Sequence, residues 1–317
     1  MQSGTRLLQL AQRAHATRAR FTRYSRLMTS KPVITQEVAG LPARADDAHK
    51  GDVGRVLIIG GCGGPVSMSG APALAARGAF RCGAGLVRVV APERVKPVVM
   101  TLVPMATAQT LPAGSGDCVK ELRTICDRFE ADVVALGPGL GDSLSASTVV
   151  EFVQSCRVPV VLDADGLNRL AEHGRRKLQD AGRIVMTPHP GEARRLLGTG
   201  PIGSDSPARQ KAAADLHDAF GAVIVLKGRH TVVTDGERMY INQTGNSGLA
   251  TAGTGDVLTG MIAALIGQRM PVLEAAILAV HVHGLAGDFA AQDLGVVSMT
   301  AEDVIAYLPD AFAELEE

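Results

Sequence analysis

Short runs of valine, isoleucine and leucine alternate with longer helical stretches from Gly54 onward. Several of the short runs lack polar alternation, which predicts strands covered on both faces and therefore a mostly parallel sheet between helix layers. The strands are expected at residues 55–59, 86–91, 132–136, 159–162, 183–186 and 222–226. The helices are expected at residues 71–82, 118–129, 146–154, 167–173, 191–197 and 207–220. This alternation is typical of a doubly wound α/β fold.

The pattern changes after Leu226. Two β-type runs, residues 231–234 and 238–242, flank the turn dipeptide Asp235-Gly236, which predicts an antiparallel hairpin. From Val257 to its end the chain is predicted to be helical. Because no internal repeat and no low-complexity linker interrupts these segments, we expect a single domain over residues 50–317.

Residues 1–49 differ in character and are interpreted as an Arg-rich leader with an N-terminal extension. No acidic residue precedes Glu37. Such a leader is either an organellar transit peptide or upstream sequence with Met28 as the working start. The expected compartment is the cytoplasm, or a mitochondrion or plastid if the transit peptide is real. The most apolar window elsewhere, residues 248–267, contains Asp256 and five glycines, so we expect no membrane span.

Composition excludes several classes of ligand. The chain has 32 basic and 32 acidic residues, so no net charge would recruit nucleic acid or an anionic membrane. Aromatic residues make up only 3% of the chain, which argues against base-stacking surfaces. The five cysteines form no C-x-x-C pair, which is typical of a reducing compartment and gives no zinc site.

Polar and glycine-rich segments follow the predicted strands. In an open parallel sheet, ligands bind beyond the carboxyl ends of the strands, so these segments are expected to line one edge. They are residues 60–64 with 67–72, then 137–141, 163–168, 187–192 and 227–231.

The most informative segment is residues 246–256, a Gly-rich run that leads directly into an apolar helix. Backbone N–H groups at a helix N-terminus have no intrahelical acceptor, and with the macrodipole they favour an anion, typically a phosphate. Asp256 follows the last glycine and would lie beside that phosphate as a base, which suits transfer of a phosphoryl group to a hydroxyl. The alternative is a tight turn in which Asp256 only caps the helix.

Three other features resemble known sites but lack essential residues. After the first strand, Gly61-Cys62-Gly63-Gly64 suggests a dinucleotide-binding turn, but Val66 replaces its third glycine. Residues 163–166 suggest a calcium loop without its remaining ligands. His281 and His283 do not share a helix face, so a zinc pair is not expected.

Seven motifs occur in order along the chain. They are Lys50-Gly51-Asp52-Val53-Gly54, Ser69-Gly70-Ala71-Pro72, Ala84-Gly85-Leu86-Val87, Gly137-Pro138-Gly139-Leu140-Gly141, Asp163-Ala164-Asp165, Thr187-Pro188-His189-Pro190-Gly191-Glu192 and Ala252-Gly253-Thr254-Gly255-Asp256. In this order they resemble the motifs of the ADP-dependent NAD(P)H-hydrate dehydratases, a family of ribokinase-like proteins. The resemblance covers residues 50–308, and the sixth and seventh motifs together are specific to this family.

The resemblance implies a ribokinase-like α/β fold and repair of damaged nicotinamide nucleotides. Such enzymes use ADP as co-substrate, with Mg²⁺, to convert the S-form of NADH or NADPH hydrate into NAD(P)H, AMP and phosphate. Phosphorylation of the ring hydroxyl followed by loss of phosphate explains a kinase-like site, since phosphate leaves more readily than hydroxide. Many relatives carry an N-terminal epimerase domain. The short leader leaves no room for one, so a separate protein is expected to supply that activity. We also expect a homo-oligomer, since relatives of this fold commonly assemble.

The resemblance also implies roles for individual residues. Asp256 would take the proton from the substrate hydroxyl, while the amides at Gly253, Thr254 and Gly255 stabilise the transferring phosphate. The adenine nucleotide would be bound by Gly255 and by one strand-end segment, in which Lys227 is available for phosphate. The residues of that segment are Lys227, Gly228, Arg229, His230 and Thr231.

The hydrate would lie against Ala71, Gly139, Gly141, His189 and Asp256. His189 lies between two prolines, which hold its backbone extended. The alternative is a histidine satisfied in the core or solvated.

Glu192 would hold Mg²⁺ through water near the phosphates, or it is only a first-turn glutamate favoured by the helix dipole. Asp163, Asp165 and Asn168 are expected to shape the cleft, without assigned roles.

Two other functions stay open. One is an ATP-dependent kinase of the same superfamily that acts on a vitamin precursor alcohol, and the other is a non-catalytic nucleotide sensor.

Overall fold

Ten strands form one sheet in the computed structural model, which describes residues 32–112, 117–175 and 177–315. Its order is β1-β10-β9-β8-β7-β6-β5-β2-β3-β4. The strands are Val33–Thr35 (β1), Arg55–Ile59 (β2), Leu86–Ala91 (β3), Thr107–Thr110 (β4), Val133–Leu136 (β5), Val160–Leu162 (β6), Ile184–Met186 (β7), Val223–Leu226 (β8), Val232–Thr234 (β9) and Arg238–Ile241 (β10). Neighbouring strands from β8 to β4 are parallel, whereas β9 pairs antiparallel with both β8 and β10.

Ten α-helices occur in the described part of the chain. They are Gly70–Arg81 (α1), Lys96–Leu102 (α2), Cys118–Phe129 (α3), Ala146–Ser155 (α4), Ala164–His173 (α5), Pro190–Leu197 (α6), Ser206–Phe220 (α7), Thr254–Gly267 (α8), Val272–Leu294 (α9) and Ala301–Ala313 (α10). Two cores lie on opposite faces of the sheet, one beneath α1 and α8 to α10 and the other beneath α3 to α7. Along β2, Val56 and Ile58 face the first core, while Leu57 and Ile59 face the second. Strands buried on both faces confirm the predicted α/β class and its parallel sheet.

The predicted strands and helices are all present, with small differences at their ends. Strands β2 and β3 have the predicted bounds, and the predicted hairpin is formed by β9 and β10. Three further elements, β1, α2 and β4, have no counterpart in the hydrophobic pattern. Both ends of β4 are exposed, so this edge strand carries no run of apolar residues. The expected boundary between residues 49 and 50 stays a prediction, and the expectations for residues 1–31 lie outside the described residues.

Helix α8 packs directly against α1 through glycine. A Cβ on Gly260 would clash with the carbonyl group of Ala75, and one on Gly78 would lie 2.6 Å from the carbonyl oxygen of Val257. These glycines therefore allow the two helix backbones to touch. This contact fixes where α8 begins, at the sheet edge that carries the carboxyl ends of the parallel strands.

Helix α9 is long and apolar enough to cross a membrane, with a mean hydropathy of 1.4 over its most apolar window. The helix itself is predicted, but the expectation that the most apolar window is residues 248–267 is wrong, because the window in α9 is long and apolar enough to span. In the structure 67% of the α9 window is buried within the fold. Length and composition of this kind also occur in core helices, and α9 packs in the first core.

Candidate active site

Asp163, directly after β6, connects three elements at the carboxyl edge of the sheet. Its Oδ1 accepts hydrogen bonds from Thr187 Oγ1 at 2.7 Å and from Lys227 Nζ at 2.6 Å. Its Oδ2 accepts a hydrogen bond from Thr259 Oγ1 of α8 at 2.7 Å. The residue is 1% exposed, so this carboxylate has exchanged water for three protein donors. Asp163 is thus a structural centre of the site, a role that the sequence analysis leaves unassigned.

Lys227 follows β8 and is enclosed by acidic groups. Burial lowers the pKa of its ammonium, but Asp163, Glu192 and Asp256 outweigh this effect and raise the pKa above its ordinary value. The lysine is therefore held as a cation and is not a free surface group. Asp163 takes one of the three ammonium donors, and a Cβ on Gly255 would lie 3.3 Å from Nζ. The ammonium group thus lies beside the N-terminus of α8.

Asp256 lies in the first turn of α8 and does not cap it. Gly253 is the N-cap, with φ of 94°, and no side chain caps this helix. The Asp256 carboxyl group makes no hydrogen bond to any other described residue. Burial and the neighbouring charge of Asp163 raise its pKa to about 7, against the opposing effect of Lys227. The interpretation of Asp256 as an N-cap is therefore wrong, and the side chain is free to accept a proton.

The turn before Asp256 is held from two sides. Thr254 Oγ1 donates to the carbonyl oxygens of Leu249 and Thr251 at 2.9 and 3.0 Å. His283 Nε2 of α9 donates to the Thr254 carbonyl oxygen at 2.9 Å, and burial lowers the pKa of this histidine to about 4, so its ring is neutral. The N–H groups of Thr254, Gly255 and Asp256 have no backbone acceptor within the described residues. A helix N-terminus with such unpaired donors has the arrangement that the predicted phosphate site needs, and anion binding stays a prediction.

A cavity of about 670 Å³ opens beside this helix N-terminus. Its volume falls in the range of small-molecule sites. The residues predicted to bind the nucleotide all line it, namely Lys227, Gly228, Arg229, His230, Thr231 and Gly255, as does Thr254. Another wall of the cavity, which the sequence does not predict, consists of residues that follow β10 and residues of α9, including Asn242, Thr244 and His283. Asn242 is buried and bonds Tyr240, Thr244 and Val280, so it fixes this wall.

The residues predicted to contact the hydrate fall into two groups. A Cβ on Gly139 would lie 3.0 Å from the Ala71 Cβ, and one on Gly141 would lie 2.9 Å from Cys62 Sγ. The start of α1, which contains Ala71, therefore lies against the glycine-rich turn after β5, which contains Gly139 and Gly141. Only small residues fit here.

His189 belongs to the second group, at the N-cap of α6. Its backbone is extended, with φ of −79° and ψ of 166°, as its flanking prolines predict. The side chain is about half exposed, and burial together with Lys227 and Arg195 lowers its pKa. The imidazole is therefore neutral at physiological pH.

Glu192 serves as the capping glutamate of α6. Its Oε2 accepts a hydrogen bond from the His189 N–H at 2.8 Å, and its Oε1 lies 3.4 Å from His189 Nε2. Burial raises its pKa above the ordinary value. The first-turn role is confirmed, and the magnesium role stays a prediction. No group of three or more metal-ligating side chains occurs in the described ranges. Magnesium would therefore depend on phosphate oxygens and water, with Glu192 Oε1 as the available carboxylate oxygen.

Asp165 and Asn168 hold the glycine-rich turn after β5. Asp165 Oδ2 accepts a hydrogen bond from the Gly141 N–H at 2.8 Å, and its Oδ1 accepts one from Asn168 Nδ2 at 3.1 Å. These residues sit in the first turns of α5, which begins at Ala164, three residues before the predicted start. They therefore shape the cleft, as the sequence analysis expects.

This fold and this edge of the sheet define a ribokinase-like α/β protein. A ribokinase-like superfamily protein from Enterococcus faecalis superposes with a TM-score of 0.72 and 26% sequence identity, covering 87% of this chain and 92% of its own. The ADP/ATP-dependent NAD(P)H-hydrate dehydratase from Bacillus subtilis, co-crystallised with ATP and Mg²⁺, superposes with a TM-score of 0.74 and 31% identity, over 90% of this chain and 99% of its own.

Residues 56–310 match the NAD(P)H-hydrate dehydratase family, and the chain belongs to that family. The ADP-dependent (S)-NAD(P)H-hydrate dehydratase of Neisseria meningitidis is 37% identical over 259 residues, covering 81% of this chain and 83% of the relative. The bifunctional NAD(P)H-hydrate repair enzyme of Moorella thermoacetica is 42% identical over 285 residues, covering 87% of this chain and 52% of the relative. The chain thus spans about half the length of the bifunctional relatives that it matches.

Proposed function

We propose that this chain dehydrates the S-form of NADH and NADPH hydrate, with ADP as the phosphoryl donor and AMP and phosphate as products. One observation carries the proposal. Asp256 is a hydrogen-bond-free carboxyl group with a pKa raised to about 7, set in the first turn of an anion-binding helix. A general base that operates near neutral pH needs these properties. The activity printed for the Neisseria relative is the one that this geometry suits.

ADP would occupy the cavity of about 670 Å³, with the adenosine against the wall formed by the β8 end and α9. Its terminal phosphate would lie at the N–H groups of Thr254, Gly255 and Asp256, where the helix dipole favours negative charge. The two remaining donors of the Lys227 ammonium would point at the same phosphate. Magnesium, when bound, would neutralise phosphate charge, held by the phosphates, by water and by Glu192 Oε1.

The hydrate would lie against Ala71, Gly139 and Gly141, as the family resemblance implies. Asp256 takes the proton of the ring hydroxyl as that oxygen attacks the terminal phosphorus of ADP, and the phosphorus–oxygen bond to AMP breaks. The ring nitrogen lone pair then expels the new phosphate group, and loss of a ring proton restores the dihydronicotinamide. Because the imidazole of His189 is neutral, it can donate a hydrogen bond to the hydrate or accept one from it.

The wider setting belongs to the same proposal. We propose ADP in preference to ATP and the cytoplasm as the compartment. We also propose that the chain forms a homo-oligomer and that a separate epimerase supplies the S-form. The bifunctional names of the longer relatives fit such a link between two repair activities.

The test incubates the purified chain with Mg²⁺, hydrated NADH and either ADP or ATP. We expect return of the absorbance of reduced nicotinamide, with one AMP released for each NADH recovered when ADP is used. Asp256→Asn is the matched control, because it removes the base and keeps the shape. A vitamin kinase would consume nucleotide only with a different alcohol, and a sensor would bind nucleotide without turnover. Either result would overturn the proposal.

A further inference from the structure

Arg195 of α6 connects the two groups of residues that are predicted to contact the hydrate. It lies in the short helix that His189 caps. Its guanidinium group donates a hydrogen bond to Asn168 Oδ1 of α5. Asn168 Nδ2 in turn donates to Asp165 Oδ1, and Asp165 Oδ2 accepts a hydrogen bond from the Gly141 N–H. The proposed function assigns no role to this arginine.

The charge of Arg195 has no carboxylate partner. No ion pair in the described ranges includes this residue, and Asn168 offers it only a neutral amide oxygen. Arg169 of α5 shows the contrast, since it pairs with Asp142 and Glu172. A guanidinium group has five N–H donors, so most of those of Arg195 stay available for an anion. Arg195 is exposed, and a ligand in the cleft can reach it.

The guanidinium group also lies near the second group of predicted contacts. Burial has the largest effect on the pKa of His189 and of Glu192, and the charges of Lys227 and Arg195 lower both values. Arg195 is therefore close to His189 and Glu192 as well as connected to the turn at Gly141.

The proposed reaction needs a second cation at this edge. Lys227 faces Asp163, Glu192 and Asp256, and its remaining donors are assigned to the terminal phosphate of ADP. The hydrate brings a diphosphate group of its own, which one ribose separates from the ring that would meet Asp256. Arginine suits such a group, because its planar fork binds phosphate oxygens in pairs.

We propose that Arg195 binds the diphosphate group of the NAD(P)H hydrate and thereby directs the damaged ring toward Asp256. The inference rests on the proposed function and adds a residue that recognises the charged part of the substrate. Arg195 then favours dinucleotide hydrates over the hydrate of reduced nicotinamide riboside, which has the same ring but no phosphate.

The test compares hydrated NADH with hydrated reduced nicotinamide riboside, at saturating ADP and Mg²⁺, in the unaltered chain and in Arg195→Gln. For hydrated NADH, we expect KM to rise about 10–100-fold in the variant, because charge-assisted hydrogen bonds are lost, while kcat changes little. KM for the riboside hydrate and KM for ADP should be the same in both proteins. An unchanged KM for hydrated NADH, or equal losses with both hydrates, would overturn the proposal.

Arg194→Gln is the matched control, since it removes the same charge from the neighbouring exposed position of α6. This variant should keep the KM of the unaltered chain. Asn168→Ala removes the amide contact but keeps the charge of Arg195, so it should raise KM for hydrated NADH far less than Arg195→Gln. An equal rise in these two variants would show that Arg195 only holds the cleft, against the proposal.

Salt dependence gives a second measurement that does not need the riboside hydrate. KM for hydrated NADH should increase with ionic strength in the unaltered chain and in Arg194→Gln, but less steeply in Arg195→Gln. The same dependence in all three proteins would contradict the proposed contact. If the unaltered chain turned over no hydrate, the proposed function and this inference would both fail. Normal turnover with an unchanged KM in Arg195→Gln would overturn this inference alone.

Discussion

Two carboxyl groups lie in the same cleft, that of Asp163 at a strand end and that of Asp256 at a helix start, and they differ in their hydrogen bonding. Asp163 is buried and accepts hydrogen bonds from Thr187, Lys227 and Thr259. Asp256 has no hydrogen-bond partner in the described residues, and its pKa is raised to about 7. Environment therefore holds one of two chemically identical groups in three hydrogen bonds and raises the pKa of the other, as the proposed role of Asp256 as a base requires.

One lysine accounts for much of this difference. Lys227 faces the carboxyl groups of Asp163, Glu192 and Asp256, but its hydrogen bond goes to Asp163. The remaining negative charge is relieved when Asp256 holds a proton. In the proposed reaction a nucleotide would bring further negative charge into the cleft, and a divalent cation would balance it.

Loss of the base should give the largest effect. Asp256→Asn keeps the size of the side chain but cannot accept the proton, so we expect kcat for dehydration to fall by about 10²–10⁴. ADP binding and the circular dichroism spectrum should be retained. Stopped assays for AMP and reduced nicotinamide measure the rate, and calorimetry measures ADP affinity. A rate near that of the unaltered enzyme would show that Asp256 is not the base.

Loss of the fixed anion should affect the fold as well as activity. Asp163→Ala leaves Lys227 buried without its partner, so the free energy of unfolding should fall by about 3–5 kcal/mol. The matched variant is Asp163→Ala combined with Lys227→Met, which removes both charges. Because the double variant leaves no buried ammonium group without Asp163, urea unfolding should show it to be more stable than the single one, although it stays inactive. Equal destabilisation of the two variants would contradict the ion-pair explanation.

The hydrophobic pattern of the sequence predicts the central strands well. Strand β2 carries an unbroken apolar run after Arg55 and β3 is interrupted only by Arg88, since both strands are largely buried, so their bounds can be read directly. Strand β4 and helix α2 lie near the sheet edge, where partial exposure removes that signal. Helix α9 shows a different limit, because it is mostly buried and its many apolar residues leave no clear polar face from which its bounds could be read.

The candidate site is predictable only where its residues are adjacent in sequence. Asp256 and the glycines before it form one segment, so helix-end chemistry identifies them together. Asp163 is different, because its partners Thr187, Lys227 and Thr259 lie 24, 64 and 96 residues away. No local pattern records such contacts. His283 is likewise one of several histidines in the sequence until the fold places it against the Thr254 carbonyl group.

The raised pKa of Asp256 predicts two opposite pH effects. Since only the ionised form accepts a proton, kcat/KM should rise as pH increases through about 7. Stability should change in the other direction. The folded-state pKa exceeds the unfolded value, so the folded state binds more protons between the ordinary value of 3.8 and about 7, and stability falls as pH rises through that window.

The measurement is a pair of profiles on the unaltered chain and on Asp256→Asn. Above pH 7, ionisation of Asp256 should lower the free energy of unfolding by roughly 1–2 kcal/mol, because partial solvent screening reduces the full effect. Asp256→Asn should be more stable than the unaltered chain by that amount. Its stability should lack the fall between pH 4 and 7. If both proteins show the same profile, the pKa of Asp256 is not the cause.

The smallest effect tests the hydroxyl group that ties the two regions together. Thr259 of α8 donates to Asp163 Oδ2, and it lies one turn after Asp256. Thr259→Val keeps the shape and removes one donor, so the free energy of unfolding should fall by about 1–2 kcal/mol. Thr187→Val is the matched control, since it removes a donor from Asp163 Oδ1 on a strand end outside α8. Thermal unfolding should show similar losses for both, whereas kcat should fall further in Thr259→Val because, of these two hydrogen bonds, only the one from Thr259 connects Asp163 to α8, the helix that carries Asp256. Equal kcat in the two variants would mean that the Thr259 hydrogen bond does not position Asp256.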